Sequence, residues 1–293
     1  MPRVQPPSTL YKYAPADTAQ IVLQSGKLRW SSPLLFNDPI EFQRLPRFDP
    51  PLKEALNELL RVLVEAALGT RQIDVPRLTP MTRRMYDMIR FGLAHGMTPG
   101  DFLDGAPEES RELDQIHEAI TRQHLGTAFA AQGRVMCLTA NPVNPAMWAN
   151  YAGNGSGCVL GFRHIPTEGT PFLESRPVHY SNEVPILCSG LDFYLYADKH
   201  TIGQGVVNAI CYTKREEWRY EEEWRAITWR ESEGDALFGD YPFLAAELES
   251  VLFGLKCEPQ QRAKLTKLVR RHYPQCSIQQ IRVDRGELIR ASV

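Results

Sequence analysis

The sequence predicts a mixed α+β fold, one domain over residues 1–293 that carries a helical insertion or subdomain at 50–132. Three observations point there. The chain opens on a strand-helix-strand pattern. Between Pro50 and Gln132 the apolar residues recur at helical spacing, and from Arg134 onward short strand signals return with helices between them.

At the start, "LYKYAP" from Leu10 reads as a short strand, "ADTAQIVLQSG" as a helix closed by Gly26, and "KLRWSSP" as a second strand ended by Pro33. In "LLFNDPIEF", Asn-Asp-Pro favours a turn, because the ring of Pro39 crowds the residue before it out of helical geometry. "LKEALNELLRVLVEAAL" and "MTRRMYDMIRFGLAHG" read as two helices, and "EESRELDQIHEAITRQHLGTAFAAQ" as a third with acidic residues in its first turn. "RVMCLTA", "CVLGFR" after the glycine-rich "AGNGSG", and "PVHYS" read as strands. Leu191 to Ala209 reads as one long helix. After it, "EWRAITWR", "ESVLFGL", "SIQQIRV" and "ELIRA" are strands, with "PQQRAKLTKLVRRHY" a helix between two of them.

Composition narrows the class. Thirty-three basic residues nearly balance thirty-five acidic ones, so no global field draws nucleic acid or an anionic membrane, although local basic patches are compatible with this. The N-terminus lacks an apolar stretch of signal-peptide type and no run reaches bilayer length, so the expectation is a soluble, cytoplasmic protein with no membrane partner. The six cysteines contain no C-x-x-C pair and read as reduced, buried thiols.

The stretch "RYEEEWRAITWR" concentrates the chemistry. If it is extended from Arg219, alternation puts Arg219, Glu221, Glu223 and Arg225 on one face and Tyr220, Glu222, Trp224 and Ala226 on the other. Two carboxylates between two arginines can divide labour, one with a raised pKa accepting a proton and one held ionised; a glutamate can also clamp ribose hydroxyls. The alternative is a solvated edge strand with weak surface pairs.

Two aromatic clusters accompany it. In "NPAMWANYAGNGSGCVLGF", Trp148 and Tyr151 stand one helical turn apart, so a short helix from Pro145 offers both rings as a stacking platform for a flat heterocycle, or buries them as core. The glycines there match no phosphate-binding loop. In "LYKY", Tyr11 and Tyr13 alternate onto one face and Lys12 onto the other, while Asn37 and Asp38 offer an amide and a carboxylate after the next strand. Asp38 can equally just hold its turn. His117 and His124 lack partners at metal-ligand spacing, so no metal is expected, and neither a Gly-x-Ser-x-Gly elbow nor a zinc-protease His-Glu pattern occurs.

Taken in order, "LYKY", "LRWSSPLLFNDPIEF", "VMCLTANPVNPAMWANYAGNGSGCVLGF", "VHYS", "CYTKREEWRYEEEWR" and "SVLFGLK" closely resemble the bacterial domain-of-unknown-function 2971 family, from about Leu10 to Lys256 outside the helical insertion. Its most specific parts are Phe36-Asn37-Asp38-Pro39, Met147-Trp148 with Tyr151, and Tyr220-Glu221 with Glu223-Trp224-Arg225. A weaker architectural likeness leads to the ADP-ribosyltransferases, and it implies a split, mostly antiparallel sheet core with NAD as substrate. By that likeness Glu223 binds the nicotinamide-ribose hydroxyl and stabilises oxocarbenium-like charge, Glu221 orients or deprotonates the acceptor, and Tyr151 or Trp148 stacks on nicotinamide. Tyr11, Lys12, Tyr13, Asn37, Asp38 and Arg225 complete the expected nucleotide site. The opening strand departs from that pattern, since it offers Lys12 between tyrosines instead of a first-motif His or Arg, and lysine cannot reproduce arginine's planar fork.

The expected activity is therefore transfer of ADP-ribose from NAD to an unidentified acceptor, or NAD hydrolysis, in a bacterial toxin or anti-phage setting. Two competing readings are a non-catalytic sensor of a nucleotide or protein, and a nucleic-acid-modifying enzyme or nuclease using the basic segment Lys267 to Tyr273, which is otherwise a solvated face.

Overall fold

The computed structural model describes residues 4–104, 115, 132–230 and 236–292. The expected third helix, 108–132, falls outside them except for its residues 115 and 132, and so do His117 and His124. The chain divides into two compact units, one made of Met1–Glu41, Ala128–Asn182 and Lys214–Val293, the other of Phe42–Thr127 and Glu183–Thr213.

The opening forms as its residues dictate. Strand β1 (Thr9–Ala14), helix α1 (Ala16–Ser25) and strand β2 (Lys27–Ser31) follow one another, and Gly26 ends α1 at φ 63°, its N–H donating to the Val22 carbonyl. That left-handed cap suits glycine, which has no Cβ to clash.

The second unit takes over at Phe42. Helix α2 (Leu52–Ala67) buries Leu52, Ala55, Leu59, Val62 and Leu63 along one stripe, while α3 (Pro80–Ala94) starts at Thr79, whose hydroxyl accepts the Thr82 N–H. A short α4 (Pro99–Leu103) follows. The core of this unit joins Leu59, Leu63, Tyr86 and Ile89 to Leu195, from a segment distant in sequence.

The first unit resumes with β3 (Gly133–Thr139), α5 (Pro145–Tyr151), β4 (Cys158–Arg163), β5 (Arg176–Pro177) and β6 (His179–Tyr180). Returning to the second unit, the single helix expected over 191–209 is two: α6 (Gly190–Tyr196) and α7 (Lys199–Cys211). Ala197 adopts a left-handed conformation at φ 41° and Asp198 caps the next helix through the His200 N–H, so the chain turns where composition alone showed no break. A short β7 (Thr213–Lys214) leads back to the first unit, which ends in β8 (Glu223–Trp229), β9 (Phe238–Pro242), β10 (Leu248–Phe253), α8 (Pro259–His272), β11 (Ser277–Asp284) and β12 (Glu287–Ser292).

All of these strands except β6 and β7 make one open, mostly antiparallel sheet in the order β12-β11-β10-β4-β1-β3-β2-β9, with β8 paired to β3 and β5 to β8. Within this sheet, only β10 and β11 pair in parallel among the described strands, and α8 supplies their crossover. The class is thus mixed, with helices against a largely antiparallel sheet. One face packs Leu10, Leu160 and Phe162 against Leu23 of α1 and Leu265 and Val269 of α8. On the other face, Tyr13, Trp148, Val159 and Leu252 form a smaller core.

The sheet parts in its middle. Strand β3 meets β1 only at Tyr11–Thr139 and β2 only at Ser31–Val135, yet pairs with β8 along its whole length. A cleft opens at that parting.

Two local expectations change. The segment before β8 is not extended from Arg219: Glu216–Glu221 forms a 3-10 turn, Glu222 is left-handed at φ 46°, and the strand starts at Glu223. The glycine-rich turn is a close crossing of backbones. A Cβ on Gly157 would lie 2.2 Å from the Ala14 carbonyl oxygen, so only glycine fits there without displacing β1.

Candidate functional site

The cleft encloses about 390 Å³, within the usual range for small-molecule sites. Tyr11, Phe36, Met147 and Tyr151 give its walls apolar and aromatic surface, and Lys12, Glu221 and Glu223 contribute charge.

Its floor is built around one buried ammonium. Lys214 Nζ lies 2.6 Å from Glu221, 3.2 Å from Glu223 and 3.3 Å from Glu41, and all four side chains are at most 5% exposed. The Trp218 ring covers it, its centroid 4.8 Å from Nζ. Arg225, fully buried, grips Glu223 with two N–H donors at 2.7 and 2.8 Å and also pairs with Glu41. Three carboxylates thus surround two cations, and the nearby Asp38 charge acts on Arg225 as well. Acids outnumber cations in a place where water cannot screen them.

Each chain segment arrives for a local reason. Asp38 Oδ1 accepts the Ile40 N–H at 2.9 Å, and this turn carries Glu41 inward. The 3-10 turn and left-handed Glu222 bring Glu221 and Glu223 to the same ammonium, which strict alternation from Arg219 does not achieve. The Tyr180 hydroxyl accepts the first N–H of β8, from Glu223, at 2.8 Å. In the parting of the sheet, Lys12 donates to the Cys137 carbonyl at 2.9 Å, filling the place of a missing strand neighbour.

The electrostatics follow from burial and neighbours. Burial raises Glu223 above the usual carboxylate range; Lys214 opposes this and Glu221 adds to it, leaving the group raised. For Lys214, burial favours the neutral amine, but Glu223 and Glu221 outweigh it, so the ammonium is held well above its ordinary value. Burial pulls Arg225 down to about 9, which still leaves it a cation at neutral pH. Tyr151 is raised, by burial first and then by its bond to Glu221, so it remains a hydroxyl. From the cleft edge inward, Asn37 donates to the Tyr151 oxygen at 3.0 Å and Tyr151 donates to Glu221 at 2.5 Å.

Several expected site residues meet here: Tyr11, Lys12, Tyr13, Asn37, Tyr151, Glu221 and Glu223 all line the cleft. Lys12 does so although alternation places it opposite the tyrosines, because the parted strands leave its long side chain a route. Trp148, Asp38 and Arg225 do not line it. Trp148 is 4% exposed, donates its indole N–H to the Pro142 carbonyl at 3.0 Å and packs edge-on against Tyr13, so it does not share a stacking platform with Tyr151. Asp38 holds its turn, and Arg225 lies beneath Glu223.

Glu41 and Lys214 escaped the sequence reading. One signal pointed to Lys214: it ends the apolar run "VVNAICYT", and a lysine carried into a core requires acid partners. Glu41, between Ile40 and Phe42, has a similar setting.

No curated protein and no solved structure matches the chain. A family model described as protein of unknown function (DUF2971) matches residues 147–226, the span from α5 to β8 that supplies Tyr151, Lys214, Glu221, Glu223 and Arg225. Over those residues the chain is similar to the DUF2971 family.

Proposed function

We propose that this protein cleaves the bond between nicotinamide and ribose in NAD and passes the ADP-ribose to an acceptor or to water. The observation that carries this reading is the convergence of Glu221 and Glu223 on one buried ammonium at the floor of a cleft with aromatic walls. As nicotinamide departs, the ribose gains oxocarbenium-like positive charge. A floor where acids outnumber cations favours that charge, and its groups are already fixed in place by their mutual bonds. Glu221 reaches the cleft edge through Tyr151 and Asn37, which suits it to orient a ribose or acceptor hydroxyl. Glu223, gripped by Arg225 and Lys214, sets the field beneath. Lys12 supplies a positive charge on the wall for a phosphate.

The test is nicotinamide release from NAD by mass spectrometry for the wild type, Glu221→Gln and Tyr151→Phe, each checked for folding by thermal melting. Release by the wild type that falls about a hundredfold in Glu221→Gln supports the proposal. A toxin or anti-phage role belongs to the same reading, and predicts that expressing the wild type, but not Glu221→Gln, drains cellular NAD.

One observation favours a second reading, a nucleotide sensor. Both oxygens of Glu223 are already bound by cations and both oxygens of Glu221 have partners, an arrangement suited to a rigid binding floor. Saturable NAD binding by calorimetry, with no nicotinamide released even when cell extract is added, would decide for the sensor.

A further inference from the structure

The cleft leaves one charged feature of the first unit unused. Helix α8 buries Leu265 and Val269 against the sheet and turns Lys264, Lys267, Arg270, Arg271 and His272 to solvent. Lys264, Lys267 and Arg271 are three and then four residues apart, so they form one stripe, with Arg270 beside it. The stripe runs for about 10 Å at the helical rise per residue.

The clustering of these cations on one helix face is their distinguishing feature. Many exposed arginines elsewhere have acids beside them: Arg29 with Asp240, Arg61 with Glu58, Arg83 with Asp87, Arg219 with Glu216. Lys264, Lys267, Arg270 and Arg271 form no such pair among the described residues, and from Pro259 to His272 the helix holds no acid at all. The whole chain is slightly acidic, with a formal net charge of −2, so the stripe is not a by-product of a basic composition. Its position at the helix C-terminus explains why Arg270 and Arg271 are tolerated, but not the two lysines further back.

We infer that α8 is a docking ridge for the phosphate backbone of a nucleic-acid duplex. A row of unpaired cations matches a row of regularly spaced phosphates, and each contact releases a counterion. The exposed side of the helix fits this partner better than a lipid surface, since the residues between the cations there are Ala263 and Thr266, without the bulky apolar groups that anchor a helix in a bilayer. Contacts of this kind carry no base readout, so binding is independent of sequence. The ridge lies across the sheet from the cleft, and the inference stands whether or not NAD is the ligand there.

The experiment is fluorescence anisotropy with the full chain and a short labelled DNA duplex of mixed sequence, titrated at several salt concentrations. The wild type should bind with an affinity of about 10⁻⁴ to 10⁻⁶ M, and log K should fall with log salt with a slope of about −3 to −4. The triple variant K264Q, K267Q, R271Q, whose changes are all exposed, should melt like the wild type and lose about three units of that slope. A control triple, R61Q, R77Q, R83Q, removes the same charge elsewhere and should bind as the wild type does. The inference is overturned if the wild type does not bind at low salt, if the two triple variants behave alike, or if α8 binds phosphatidylserine vesicles and not the duplex.

Discussion

Two arginine–glutamate pairs stand within the stretch from Glu216 to Arg225, alike in chemistry and opposite in surroundings. In the pair Arg219–Glu216 the side chains are 61% and 43% exposed, whereas in Arg225–Glu223 they are 0% and 5% exposed. Water screens the first pair, so its bond replaces one solvated state with another of nearly equal free energy. The second pair has given up its water. Arg225 and Glu223 now depend on one another, and on Lys214 and Glu41, to avoid buried charge without a partner. A charged stretch thus says little by itself; the left-handed turn at Glu222 separates the surface pair from the buried one.

The sharpest way to break that contrast is Lys214→Met. Removing the ammonium leaves Glu41, Glu221 and Glu223 facing each other out of water, and urea unfolding should show a loss of about 3–5 kcal/mol. A loss no greater than that of a surface pair would mean that water reaches the cluster.

A second, smaller effect is read in the pH dependence of Glu223→Gln. The folded-state pKa of Glu223 is raised, so the native state holds this proton more tightly than the unfolded chain does. Its contribution to stability is present at low pH and is lost as pH rises from about 4.3, the unfolded value, through the raised folded one. Urea midpoints taken between about pH 4 and 7 should therefore slope downward more in the wild type than in Glu223→Gln. Equal slopes would show that Glu223 is ionised throughout.

The smallest effect is expected at the surface pair. Arg219→Gln should leave the thermal midpoint where it is, in low and high salt alike. If it destabilised the protein as much as Lys214→Met, exposure would not be what separates the two pairs.

The same contrast explains what the sequence could reveal. Elements governed by local rules were legible: the opening β1-α1-β2, the amphipathic α2 and α3, the strands β4 and β10, and two of the floor's glutamates, Glu221 and Glu223. What failed was information that lies across the chain. Glu41 and Lys214, both of the first unit, are 173 residues apart in sequence, and no local period records their meeting. Trp148 takes the core alternative that its spacing left open, for a related reason: helical spacing puts it near Tyr151 but does not say which side faces the sheet. The break at Ala197 has no glycine or proline to announce it.

The turn "AGNGSG" also has a consequence for how this chain can vary. A library randomised across it should separate positions that look equivalent in the sequence. Gly157 should return as glycine alone, since its missing side chain is the space through which β1 passes. Gly155, at φ 83° with no neighbour near its absent Cβ, should admit asparagine or aspartate at some cost. What reads as a flexible connector is then a fixed crossing with one tolerant position, and enrichment after selection for folding would map it residue by residue.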